Sequence, residues 1–166
     1  MTTACEQDLA ILGGPPAVPD WQRHQPLLHW PIVTAEDEQA VLEVLRAGAM
    51  SGKEITMAFE REWADGLGVE HALGFCNGTA ALQAAMWAVG LGRGDELICP
   101  SITYWASALQ AFSLGATVVF ADIHPDTLCI DPADIEHRIT DRTKAIMVVH
   151  YCGHPADMDV ILPIAR

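Results

Sequence analysis

Four short runs hold the side chains best suited to chemistry: Asn77-Gly78-Thr79, Ser101-Ile102-Thr103-Tyr104-Trp105, Asp122-Ile123-His124, and His150-Tyr151-Cys152-Gly153-His154. In the first, glycine lets the backbone approach a ligand closely, and the amides of a helix opening at Thr79 carry a partial positive charge, so a phosphate would fit. The Thr79 hydroxyl would add a bond, and Ala80, Ala81 and Ala84 keep the helix start small. The same run also reads as an ordinary strand-to-helix turn with a hydroxyl at the helix start. Neither GxGxxG nor the P-loop pattern occurs, which leaves a dinucleotide fold and an NTPase without support. In the second run, the flat ring of Tyr104 or Trp105 suits stacking on a planar cofactor, or packing in a core or interface.

The remaining runs are less specific. His150, His154 and Asp157 have metal-binding chemistry, but Gly153 and Pro155 prevent the helical presentation that a zinc-binding His-x-x-x-His pair uses. His150 is expected to end a strand and make one hydrogen bond. The Asp122 carboxylate suits either a ligand contact or the cap of the turn that follows it.

Positioning these runs requires a layered α/β framework. Short apolar stretches predict strands near Ala72–Cys76, Leu97–Cys99, Thr117–Ala121 and Ala145–Val149, with helices at about Thr79–Val89, Thr103–Leu114 and Pro132–Ile139 between them and a last one from Asp157. Strands alternating with helices make a mostly parallel, doubly wound sheet, in which ligands bind beyond the carboxyl ends of the strands. All four runs would share that edge. Ahead of the sheet, residues 1–33 read as an arm, extended through the Pro- and Gly-rich stretch Leu12–Pro31 with Trp21 and Trp30 in it. Residues 34–68 read as two amphipathic helices, Ala35 to Ala47 capped by Thr34, and a second after Ser51-Gly52 with Ile55, Phe59 and Trp63 on one face. Residues 69–166 are the sheet domain.

Composition narrows the partners. The chain has 166 residues, 51% hydrophobic and 19% charged, enough to bury a core. Against 9 Lys and Arg stand 22 Asp and Glu, a net charge of −13 that argues against nucleic acid and anionic membranes. No apolar run is long enough to span a bilayer, and Met1 to Asp8 lacks the basic start and apolar stretch of a secretory signal, so a cytoplasmic location is expected. Five cysteines, Cys5, Cys76, Cys99, Cys129 and Cys152, none paired at CxxC spacing, suggest reduced and mostly buried thiols.

In order, Ser51-Gly52, Phe59-Glu60, Asn77-Gly78-Thr79-Ala80-Ala81-Leu82, Gly94-Asp95-Glu96-Leu97-Ile98, Pro100-Ser101, Thr103-Tyr104 and Gly115-Ala116-Thr117 form a distinctive series. Asp122, Ile130-Asp131-Pro132, Ile139-Thr140, Arg142 to Ile146, Val149-His150 through Gly153, and Asp157-Met158-Asp159 continue it. The series resembles the amino-terminal part of the DegT/DnrJ/EryC1/StrS family of sugar and aminocyclitol aminotransferases, from about Leu12 onward. The resemblance implies a pyridoxal 5'-phosphate enzyme of fold type I, here an incomplete large domain. It implies a homodimer in which glutamate or glutamine gives its amino group to a keto sugar nucleotide or a keto-cyclitol. By position, Gly78 and Thr79 would hold the cofactor phosphate and Tyr104 would stack on the pyridine ring, with Trp105 a packing neighbour. The Ser51-Gly52 turn falls where the family has a segment near the substrate entrance and the subunit interface.

Family members carry the cofactor as a Schiff base on a lysine and pair its ring nitrogen with an aspartate. Neither Lys53 nor Lys144 matches that lysine. The chain as given is therefore expected to be the front of a longer enzyme, or a truncated form, inactive in transamination by itself. The alternatives are a non-catalytic fragment that pairs with a full-length relative and a small domain that binds a phosphate ligand without chemistry.

Overall fold

A computed structural model describes residues 9–20, 23 and 29–166. Met1 to Asp8 with Cys5, and Trp21 and Pro26 of the arm, lie outside the described residues. The chain forms two compact units, Met1–Glu54 and Ile55–Arg166.

In the first unit a 3-10 turn at Ala10–Leu12 precedes helix α1, Ala35–Arg46. The start of α1 is a capping box. The Asp37 amide donates to the Thr34 hydroxyl at 3.3 Å, and the Thr34 amide donates to the Asp37 carboxylate at 2.8 Å. Two of the amides that a helix start leaves without partners are thereby satisfied.

The second unit holds helix α2, Glu54–Leu67, followed by α3, Gly78–Ala88, and strand β1, Glu96–Pro100. Helix α4, Ala106–Ser113, leads to β2, Thr117–Ala121; α5, Pro132–Arg138, leads to β3, Thr143–Ile146; and α6, Met158–Ile164, ends the chain. The strands form a parallel sheet in the order β2-β1-β3, with Glu96 opposite Thr117, Pro100 opposite Ala121, and Ile98 opposite Ile146. Each crossover is a helix, as parallel strands require. The expected α/β architecture is thus present, with its crossovers where the apolar periodicity placed them.

β1 is buried along its whole length, because helices cover both of its faces. On one side Ile98 joins Ala121, Cys129, Ile130, Ile135, Ala156 and Ile161. On the other, Leu97 joins Met86, Leu91, Ala111 and Ala116. The tight turn from α4 into β2 uses Gly115 at φ 83°, a left-handed conformation that a side chain would oppose.

Three boundaries differ from expectation. Ala72–Cys76 forms no strand: it pairs with none of β1, β2 and β3 and is tied instead to α2, where the Gly74 amide donates to the Glu60 carboxylate at 2.8 Å. Leu73 and Phe75 remain 76% and 47% exposed. β3 begins at Thr143 and its regular pairing stops at Ile146, after which the Met147 amide still reaches the Ile98 carbonyl at 2.8 Å. Pro100, with no N–H to donate, ends β1 there. Helix α4 starts at Ala106 rather than Thr103, since Tyr104 and Trp105 belong to the turn.

A buried carboxylate closes the amino edge of the sheet. Glu96 accepts from the Thr140 hydroxyl at 2.6 Å and the Arg142 Nε at 2.9 Å, with the Arg142 Nη2 also on it, and the Glu96 amide donates to the Arg142 carbonyl at 2.8 Å. The Thr140 bond and the Arg142 guanidinium hold the Glu96 carboxyl below the usual carboxylate range. A depressed pKa means stability that is full above the unfolded-state value and lost as pH falls through the folded value. The unfolding midpoint in urea should therefore drop as pH is lowered below about 4.3. Glu96→Gln should flatten part of that slope, and superimposable pH curves for the two proteins would show that the clamp adds nothing. In the core, Ile98→Ala should cost about 2–5 kcal/mol by the same measurement, because a fully buried side chain leaves a cavity.

Candidate functional site

The head of α3 is built by Asn77, whose side-chain oxygen accepts from the Ala80 amide at 2.9 Å, while its carbonyl accepts from the Ala81 amide at 3.2 Å. Asparagine is among the best residues for this position because a short amide oxygen can curl back onto the first turn. The helix therefore opens at Gly78, and the amides of Gly78 and Thr79 are left without helical partners. A Cβ built on Gly78 would meet nothing within 4 Å, so the space beside these amides is open. Thr79, the hydroxyl expected at the helix start, lies inside the first turn, and Asn77 is the cap instead. The preference of asparagine for that place was the available signal.

Beside Gly78 runs a largely apolar groove of about 490 Å³, lined by Phe59 and Trp63 of α2 together with Leu73, Phe75, Asn77 and Gly78. The Phe59 and Trp63 rings lie 5.6 Å apart, one helical turn from each other. The Cys76 thiol sits at the same bend, 3.3 Å from the Asn77 side-chain nitrogen.

Tyr104 follows β1 at the carboxyl edge of the sheet, 65% exposed, its ring 5.1 Å from that of Trp105 at an angle of 45°. The pair is not core packing. The Asp122 carboxylate accepts from the Ile123 amide at 2.8 Å, so it caps its own turn, while the Asp122 amide donates to Asp134 at 2.7 Å. That bond, with Arg138 beside it, holds the Asp134 carboxyl below the usual range. His150 does not end a strand as expected, since β3 stops at Ile146; its side chain accepts one hydrogen bond, from the Ala156 amide at Nδ1, 3.0 Å. Among the described residues no group of three His, Cys, Asp or Glu side chains is placed to hold a metal ion.

Lys144 lies at the opposite end of α3. A Cβ on Gly90, just beyond the carboxyl end of that helix, would be 3.7 Å from the Lys144 Cε, whereas Gly78 opens the other end. At 1.5 Å per residue those ends are separated by about 16 Å. Of the four described cysteines, Cys99 and Cys129 are buried and Cys76 and Cys152 exposed, none in a disulfide, so the thiols are not mostly buried as expected; burial pushes Cys99 up to about 11. Among the described residues no helix is long and apolar enough to cross a membrane.

The profile of the DegT/DnrJ/EryC1/StrS aminotransferase family matches residues 31–166. The L-glutamine:2-deoxy-scyllo-inosose aminotransferase of Streptomyces lividus is 39% identical over 167 residues, an alignment covering 96% of this chain and 38% of that protein. The crystal structure of an aminotransferase from Psychrobacter cryohalolentis superposes with a TM-score of 0.78 at 38% identity, covering 82% of this chain and 35% of that one. NtdA from Bacillus subtilis, solved with bound cofactor PMP, superposes at 0.72 with 32% identity, covering 80% of this chain and 32% of the other. The chain thus spans about a third of the length of the curated relatives it matches, which include sugar and aminocyclitol aminotransferases. The profile match over most of the sequence and the shared α/β framework establish that the chain belongs to the DegT/DnrJ/EryC1/StrS aminotransferase family.

Proposed function

We propose that the chain forms the phosphate- and ring-holding part of a pyridoxal-phosphate-dependent aminotransferase. The whole protein would work as a cytoplasmic homodimer and move an amino group from glutamate or glutamine to a keto sugar nucleotide or a keto-cyclitol. One observation supports this above the others: a member of an aminotransferase family has, at the head of α3, two amides without helical partners beside open space.

Gly78 and Thr79 would hold the phosphate through those amides, aided by the positive end of α3 and the Thr79 hydroxyl. Asn77 occupies the Ala80 amide and so fixes the direction of the other two. Tyr104, beside Trp105, would lie on the pyridine ring and keep water from that face. When bound, the cofactor supplies an electron sink for the carbon that exchanges its amino group. The lysine that carries the cofactor and the aspartate that pairs with its ring nitrogen would come from the part of the relatives' length that lies outside this chain, since Lys144 is at the wrong end of α3. The glutamine donor is the one named for the Streptomyces lividus relative.

Titration of the chain with pyridoxal 5'-phosphate, followed by absorbance, tests the site. Gly78→Val would fill the space beside the amides and should weaken uptake at least about tenfold, equal to about 1.4 kcal/mol. Tyr104→Ala should weaken it about two- to tenfold, the range of one lost ring contact. Uptake that survives both substitutions unchanged would rule out the site.

A further inference from the structure

The loop after β3 is strained and firmly tied. From His150 the chain turns through Tyr151–Gly153, where Cys152 at φ 51° and Gly153 at φ 82° are both left-handed. Glycine adopts that conformation freely; cysteine adopts it against the contact of its Cβ with the backbone. The Gly153 amide donates to the His150 carbonyl at 3.1 Å, the His154 amide to Tyr151 at 2.9 Å, and the Cys129 thiol to the His154 carbonyl at 3.3 Å. Ala156 is buried and Tyr151 packs against the core. Left-handed residues held in this way concentrate at ligand clamps.

The Ala156 amide donates to His150 Nδ1 at 3.0 Å, and a ring nitrogen that accepts carries no proton. The neutral imidazole therefore has its proton on Nε2, and that donor meets no partner among the described residues. His150 is exposed and follows β3 at the edge where Tyr104 follows β1, because the two strands run parallel.

We propose that His150 is a further cofactor-binding residue: Nδ1 locks the ring onto Ala156, and Nε2–H donates to an oxygen of bound pyridoxal phosphate. The assignment rests on the cofactor site proposed above.

Asparagine places an acceptor near the position of Nδ1, and glutamine places a donor near the position of Nε2. The chain, His150→Asn and His150→Gln are titrated with pyridoxal 5'-phosphate, while the Ala156 amide resonance reports on the loop. His150→Asn should leave that resonance in place and lose at least about tenfold in affinity, the expected cost of one hydrogen bond to a charged ligand. Unchanged affinity overturns the assignment. Where the asparagine variant displaces Ala156, His150→Gln decides. Affinity within about threefold of wild type, less than the effect of one such bond, supports donation from the Nε2 position, and a loss equal to that of the asparagine variant overturns it. If Gly78→Val abolishes uptake and His150→Asn does not weaken it, only this assignment falls; if the unsubstituted chain takes up no cofactor, both readings fall together.

Discussion

Removal of β1 from water on both faces is the constraint from which the second unit follows. Its residues alternate between two apolar clusters, Ile98 into one and Leu97 into the other, so neither face can form without the helices that cover it. Burial on both faces leaves the backbone only its edges for hydrogen bonding, and β2 and β3 take one each. With the centre settled in this way, β1 can meet polar side chains at its two ends.

Those two ends are used differently. At the amino edge Glu96, Thr140 and Arg142 satisfy one another, and the charge is spent on holding the sheet together. At the carboxyl edge the turns after β1 and β3 leave groups unspent: an exposed aromatic pair and an imidazole with one nitrogen committed, while the Asp122 carboxylate after β2 caps its own turn. The open head of α3 adds two amides without helical partners. A sheet that closes one edge with charge and opens the other with donors has a direction, and the ligand-facing side follows from it.

Much of this was legible in the residues. The helices from Ala35, Gly78, Pro132 and Met158, and the strands at Leu97 and Thr117, follow from periodicity and caps that act locally. Ala72–Cys76 was not, because an apolar run specifies a willingness to pair and says nothing about whether the stretch reaches a sheet edge. The end of β3 depended on a neighbour, Pro100, which is distant in sequence. At the site, Gly78, Thr79 and Tyr104 stood out by type and position. Asn77 was overlooked as a cap beside a threonine that also suits one, and the state of His150 depends on the Ala156 amide, which no local pattern reveals.

Among the described residues β2 and β3 each pair on one edge alone, with β1, and Phe120 of β2 stands half exposed. The other edge of each is a template for any strand that arrives, including one from another copy of the chain. The net charge of −13 opposes that encounter by mutual repulsion, which weakens with added salt and disappears as pH nears the isoelectric point of about 4.7. The acidic surface thus acts as a colloidal guard on the sheet, and acid both loosens the Glu96 clamp within it and lowers the barrier around it.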